Sequence, residues 1–151
     1  MEAPGVSTVL VGIDGSDESF EAATYAIAIA ARYGAELLTL HVVDSADYRA
    51  MTAGERDPGT ISADGQAMLE EIRAEAEILD VHCRGATAYG FDVHRKLVHP
   101  GSVVLDAADD AGADFIVLPR ESVDGAPRTE GTLAKAAEYA LLYATQPVLA
   151  V

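Results

Sequence analysis

The fold is decided by residues 6–18, which have the sequence VSTVLVGIDGSDE. Residues 6–13 are rich in Val, Leu and Ile with little polar alternation, which indicates a strand buried on both faces of a parallel sheet. Gly15 then allows a sharp turn, and Ser16 can cap a helix whose first turn is acidic. The stretch therefore predicts a strand, a tight turn and the start of a helix.

Outward from this stretch, apolar strand-like runs alternate with amphipathic helical patterns along the whole chain. The strands are expected at residues 6–13, 37–43, 91–98, 114–118 and 147–151. Such alternation implies right-handed crossovers between parallel strands. We therefore predict an α/β fold, a single doubly wound, Rossmann-like domain over residues 1–151, with a five-stranded, mostly parallel sheet and about four helices.

The helices are predicted from apolar spacing and from their ends. The first covers residues 17–33 and stops at Gly34, and a long one runs from Asp64 to about Tyr89 on an apolar stripe that includes Cys83. Residues 44–64 lack periodicity and are expected to form a long loop. Ser102 is expected to cap a helix that Gly112 ends. The core stripe of the last helix is predicted to contain Leu133, Ala136, Ala137, Ala140, Leu141 and Ala144.

Composition excludes several classes of partner. The chain has 25 acidic and 10 basic residues in 151, a formal net charge of -15, so its potential disfavours nucleic acid and anionic membranes. The scarcity of lysine beside abundant Asp and Ala favours a halophilic origin, and screening of the charge is expected to make high salt stabilise the fold. No apolar run is long enough for a membrane span, and the single cysteine argues for a reducing cytoplasm.

Five motifs, in order along nearly the whole chain, resemble the universal stress protein family. They are VLVGIDGS at 9–16, AELLTLHVV at 35–43, HPG at 99–101, GADFIVL at 112–118 and PVLAV at 147–151. The resemblance implies a related adenine-nucleotide alpha-hydrolase-like fold and an adenine nucleotide at the carboxyl ends of the strands, where such sheets bind ligands. It assigns Asp14 to a nucleotide contact, Gly12 and Ile13 to the base side and Val42 to the adenine. A turn and helix-start role for Asp14 is the alternative.

The phosphate half of that site departs from the family pattern. ATP-binding members have a G-x2-G-x9-G-[S/T] loop after the fourth strand, whereas Pro119 and Ser122 occupy the places of its leading glycines and three acids follow. Gly131 and Thr132 resemble the trailing pair, although counting back from the last strand places Ala134 and Lys135 there. The amides of the last helix with Arg120, Arg128 and Lys135 could hold one phosphate. A solvated charged loop is the alternative.

Motifs for enzymatic chemistry are missing: the sequence has no phosphate-loop, Rossmann glycine, zinc-spacing or nucleophile-elbow pattern. We therefore predict no catalytic residue and no metal ligand, and enzyme activity is not expected. The histidines at 41, 82, 94 and 99 are interpreted as ordinary core or surface residues.

Three functions remain open. The first is a stress-response or signalling module that binds ATP with Mg²⁺, or AMP, weakly. The second is an interaction scaffold that binds a protein partner and no nucleotide, and the third is a slow nucleotide hydrolase that uses Asp14 and a lid at 44–64. By resemblance the chain is expected to form a homodimer through Val148–Val151, which would otherwise be an apolar sheet edge. Tyr139, Leu142 and Tyr143 would then gain a partner, and packing against the chain's own sheet is the alternative for these three side chains.

Overall fold

One parallel sheet organises the chain. A computed structural model describes residues 5–43, 45–89, 99–120 and 132–151. The strands are β1 (Thr8–Ile13), β2 (Glu36–Val43), β3 (Cys83–Tyr89), β4 (Phe115–Leu118) and β5 (Val148–Ala150). The helices are α1 (Asp17–Tyr33), α2 (Ser45–Thr52), α3 (Pro58–Ile78), α4 (Pro100–Ala111) and α5 (Thr132–Tyr143). None of these helices combines the length and the apolar character that crossing a membrane requires.

The strand order is β3-β2-β1-β4-β5, and every neighbouring pair is parallel. This confirms the predicted α/β architecture with its five-stranded sheet, and the described residues contain five helices rather than about four. β1 lies in the middle, and its alternate side chains serve two cores. Val9, Val11 and Ile13 pack with α1 and α3, whereas Leu10 packs with α4 and α5 on the opposite face.

The ends of α1 follow the predicted chemistry. The Ser16 side chain accepts a hydrogen bond from the backbone N–H of Ser19, and the first turn contains Asp17 and Glu18. Gly34 adopts the left-handed conformation, with φ of 66°, and its N–H satisfies carbonyls of the last turn. Gly112 ends α4 in the same way.

The prediction of one helix from Asp64 to about Tyr89 is wrong. α3 ends at Ile78, Asp80 has a positive φ of 57°, and residues 83–89 form β3, which pairs with β2. Ile72 and Ala76 of the expected stripe are buried, but Leu79 is 52% exposed. Cys83 is buried in a strand, where its thiol shares a hydrogen bond of 3.3 Å with the Thr39 hydroxyl. Pairing with β2 therefore overrides the helical spacing.

The predicted loop at 44–64 is also wrong in its described part. Residues 45–52 form α2, and α3 begins at Pro58 after Asp57, whose carboxylate caps the helix. Arg56 joins the two helices through ion pairs to Asp47 and Asp64. The third strand predicted at 91–98 lies outside the described residues.

Two details of α4 and α5 differ from expectation. The cap of α4 is His99 rather than Ser102, because Nδ1 of His99 accepts the N–H of Gly101 at 3.0 Å and Pro100 suits the first helical position. In α5, Leu141 is 57% exposed and lies outside the core, which contains Leu133, Ala136, Ala137 and Ala140. The Tyr139 ring stacks on the His99 ring with centroids 4.6 Å apart.

Two helices begin with the same Pro-Gly pair, which gives a matched test of packing. A Cβ at Gly101 would overlap the Cβ and ring of Tyr139, whereas a Cβ at Gly59 would meet only Asp57 at 3.5 Å or more. We expect Gly101→Ala to lower the free energy of unfolding by roughly 1–3 kcal/mol through overpacking. Gly59→Ala should leave it unchanged or raise it by up to about 1 kcal/mol. Urea unfolding measures both, and equal effects would contradict the close packing of α4 on α5.

Candidate functional site

The strand order reverses between β1 and β4, and this reversal creates a crevice at the carboxyl edge of the sheet. The chain leaves β1 into α1 on one face, whereas α5, which follows β4, packs on the other face. In parallel sheets with helices on opposite faces, ligands bind outside the carboxyl ends of the two strands at which the order reverses, here β1 and β4. The sequence predicts a ligand at this same edge of the sheet.

The first turn of α5 lies against the end of β1. A Cβ at Gly12 would lie 2.7 Å from Cδ2 of Leu118 and 3.0 Å from Cδ2 of Leu133, so glycine lets β1, β4 and α5 approach closely. Leu133 is the second residue of α5 and is 1% exposed. The first turn of α5 is therefore brought close to the end of β1, and N–H groups in the first turn of a helix, which have no partner within the helix, can donate to an anion.

Asp14 closes the turn after β1. Its Oδ1 accepts hydrogen bonds from the N–H of Ser16 at 3.0 Å and from the hydroxyl of Ser16 at 2.6 Å. The N–H of Asp14 donates to the hydroxyl of Ser19 at 3.4 Å. The structure thus shows the turn and helix-start role. The carboxylate is also exposed at the edge of the crevice, and its contact with a nucleotide stays a prediction.

The other predicted base contacts lie on both faces of the sheet. Ile13 pairs with His41 across β1 and β2, and its side chain is fully buried on the face of α1 and α3. Val42 is 2% exposed and packs on the opposite face with the core of α4 and α5. Only Gly12 and Val42 therefore share the face of α5, and Ile13 reaches the crevice through its backbone.

The basic candidates lie at the edge of the described region after β4. The N–H of Arg120 donates to the carbonyl of Val151 at 2.7 Å, which continues the pairing of β4 with β5, and its side chain is exposed. Lys135 is exposed in the first turns of α5. Within the described ranges neither cation forms an ion pair. Thr132 begins α5 in its backbone, and Gly131 lies outside the described residues.

The region after β4 has one described feature that matters for phosphate binding. Pro119 is buried, and as a proline it offers no N–H where the family loop has a glycine. The described ranges contain no group of three His, Cys, Asp or Glu side chains that could hold a metal ion. What the crevice offers is therefore a helix N-terminus, nearby exposed cations and one carboxylate.

His41 is a feature that sequence reasoning treated as ordinary. It is 8% exposed and lines a cavity on the face of α1 and α3. Burial lowers the pKa of His41 below its usual value, although the carboxylates of Asp47, Asp14 and Asp64 act to raise it. The alternation of side chains along β2 could have placed His41 on this face. Thr39, His41 and Val43 point to one side of the strand, and Leu38, Leu40 and Val42 point to the other.

The buried His41 predicts a specific pH dependence. Because its pKa is lower in the folded chain, the unfolded chain binds the proton more readily, and stability falls as the pH drops below about 6.5. Asp47 and Asp64, held by Arg56, and Asp14 at the end of β1 limit the effect. We expect His41→Gln to lose less stability between pH 7.5 and 5.5 than the wild type. Urea unfolding at both pH values measures this, and parallel losses would refute it.

Comparison with known proteins agrees with the fold. The sequence profile of the universal stress protein family matches residues 5–151. Universal stress protein MJ0531 of Methanocaldococcus jannaschii is 28% identical over 148 residues, which is 95% of this chain and 80% of that protein.

Solved structures of low sequence identity share the fold. A universal stress protein in complex with cAMP has a TM-score of 0.69 at 20% identity and covers 98% of both chains. The universal stress protein from Archaeoglobus fulgidus in complex with dAMP has a TM-score of 0.64 at 16% identity, over 95% of this chain and 96% of that one. With strand order, turn motif and sequence profile in agreement, this chain belongs to the universal stress protein family.

Proposed function

We propose that this chain is a stress-response or signalling module that binds an adenine nucleoside monophosphate weakly. The observation that carries the proposal is the contact of Leu133 with the site of Gly12, which brings the start of α5 to the point where the strand order reverses. Helix N-termini at such points favour phosphate. The family relatives named with cAMP and dAMP support an adenine monophosphate as ligand.

The number of phosphates follows from the chemistry of Pro119 and of the sequence after β4. Pro119 removes one backbone donor, and the sequence after β4 adds Glu121, Asp124 and Glu130. These carboxylates oppose a polyphosphate, whereas the first turn of α5 with Lys135 can offset the charge of one phosphate group. ATP with Mg²⁺ is therefore expected to bind more weakly than AMP.

Calorimetric titration of AMP, cAMP and ATP with Mg²⁺ tests the proposal. Lys135→Ala should raise the Kd of AMP about two- to fivefold, as expected for an exposed charge contact. Arg32→Ala is the matched control, because Arg32 is an exposed cation in the last turn of α1, at the far end of the strands. Asp14→Asn keeps an acceptor for the turn and removes the charge, and it should weaken all three ligands.

The absence of binding by all three nucleotides would contradict the proposal, and so would equal effects of Lys135→Ala and Arg32→Ala. Tighter binding of ATP than of AMP would show that the region after β4 accommodates a polyphosphate despite its acidic residues.

A dimeric interaction scaffold that binds no nucleotide is the second candidate, and one surface favours it. Leu141, Leu142 and Tyr143 at the end of α5 are 57%, 76% and 63% exposed, and β5 is the edge strand beside them. Exposed apolar side chains next to an edge strand favour association, because a second copy of the chain would remove them from water. In either function we expect a cytoplasmic homodimer that high salt stabilises, in keeping with a halophilic origin.

Light scattering after size exclusion tests the dimer. We expect a dimer for the wild type and a monomer for Leu142→Glu, because the new charge would be desolvated in the interface. Ile78→Glu is the matched control: Ile78 is 83% exposed at the end of α3 and should tolerate the change as a dimer. A monomeric wild type at high salt would contradict the assembly.

A further inference from the structure

A second cavity, of about 190 Å³, lies between α3 and the sheet on the face away from α4 and α5. Its wall includes Thr39, His41 and Val43 of β2 and residues 85–87 of β3. These β2 side chains alternate with those that face the core of α4 and α5, so the sheet itself separates this cavity from the α5 side of the crevice. A cavity of roughly 150 Å³ holds a benzene ring, which sets the size of a fitting molecule.

Two glycines keep this space open. A Cβ at Gly65, inside α3, would lie 2.5 Å from Nδ1 of His41, and a Cβ at Gly85 in β3 would overlap the methyl groups of Leu69. Glycine inside a helix or strand lowers stability relative to alanine, because it loses more conformational freedom on folding. The chain therefore keeps glycine at two positions where alanine would crowd the wall of the cavity.

His41 supplies a polar group to the wall of the cavity. The residue is 8% exposed, and among the described residues no buried side-chain nitrogen or oxygen lacks a hydrogen-bond partner. A ring nitrogen of His41 that has no protein partner is therefore reached by solvent through the cavity. Its lowered pKa leaves the imidazole neutral at pH 7.5, with one donor and one acceptor. A ligand that can donate or accept a hydrogen bond would take the place of that solvent.

The charges around the cavity decide which ligands fit. None of the described lining residues is an Asp, Glu, Lys or Arg. Asp14, Asp47 and Asp64 lie near enough to influence His41 and repel an anion. A cation would lose its water without gaining a carboxylate in the wall. The apolar part of the lining, which includes Ile13, Val43 and Ile61, favours an uncharged ring instead.

We propose that this cavity binds a small uncharged ring compound, the size of phenol or indole, whose hydroxyl or N–H group hydrogen-bonds to His41. Arg56 holds α2 to α3 through Asp47 and Asp64, and these helices carry Met51 and Ile61 of the wall. These ion pairs therefore hold together two helices that contribute to the wall. The site is independent of the nucleotide crevice.

Titration of the full chain with phenol and indole at pH 7.5, up to 10 mM, tests the proposal. The readout is the side-chain NMR resonances of His41, which a bound ring should shift in a saturable manner. Benzoate, the anionic counterpart of phenol, should bind at least tenfold more weakly. Saturation by only one of the two rings would support the site and show whether it selects a hydroxyl or an N–H group.

Two neighbouring substitutions provide the matched control. Ser62 lines the cavity and Ala63 does not, and both are exposed on α3, so Ser62→Leu and Ala63→Leu should fold equally well. We expect Ser62→Leu to weaken ring binding at least tenfold and Ala63→Leu to leave it unchanged. Gly65→Ala, which displaces the imidazole, should weaken it as well.

Three results would overturn the proposal. The first is no saturable shift with either ring at 10 mM, and the second is binding of benzoate as tight as that of phenol. The third is that the Ser62→Leu and Gly65→Ala variants both bind the ring as tightly as the wild type does. AMP titration of the same variants distinguishes the two sites. Neither Ser62 nor Gly65 contacts the crevice at α5, so the Kd of AMP should not change.

Discussion

The burial of β1 on both faces and both edges is the constraint on which the rest of the structure depends. Val9, Leu10, Val11 and Ile13 are fully buried, and each such side chain contributes about 1.5–3 kcal/mol when removed from water. β1 is hydrogen-bonded to β2 on one side and β4 on the other. Helices must therefore cover both faces of the sheet. α1 and α3 pack on one face, and α4 and α5 pack on the other. The crevice at the carboxyl edge is the consequence.

The same layered arrangement underlies the two ligand sites that we propose. On one face, glycine at position 12 lets α5 approach the end of β1, so that a helix N-terminus reaches the crevice. On the other face, glycine at 65 leaves space for the His41 ring and glycine at 85 leaves space for Leu69, under α3. The first place has groups suited to a phosphate, and the second suits an uncharged ring. Together the two proposals place a nucleotide site and a ring-binding site on opposite faces of the sheet in one family fold.

Local signals in the sequence were sufficient to predict the ends of two helices and the buried central strand. The Ser16 cap, the glycine ends at 34 and 112 and the apolar run of β1 depend on neighbouring residues alone, and all four are confirmed. The long helix through Cys83 was wrong because the three-residue spacing of Cys83 and Ala86 continues a helical stripe, whereas in β3 it places Cys83 on the buried face and leaves Ala86 exposed. Only pairing with β2, a contact more than forty residues distant in sequence, distinguishes the strand from the helix.

The candidate nucleotide site was also predictable only in part, because its geometry depends on contacts between distant residues. The resemblance to the family located Asp14 and the carboxyl edge, but which face each strand residue occupies depends on packing. Gly12 proves necessary for the contact with Leu118 and Leu133, and Ile13 turns to the opposite face from Val42. The cavity at His41 could not be predicted from the helix and loop expected around it, because its walls come from β3 and the start of α3.

The most direct measurement is a titration of the ¹⁵N-labelled chain with AMP at high salt, followed by backbone amide shifts. If the start of α5 binds the phosphate at the strand reversal, saturable shifts should cluster at residues 12–14, at 42–43 and in the first turn of α5, with β3 and α2 unchanged. Saturable shifts confined to other parts of the chain, or none at all, would contradict a nucleotide crevice between β1, β4 and α5.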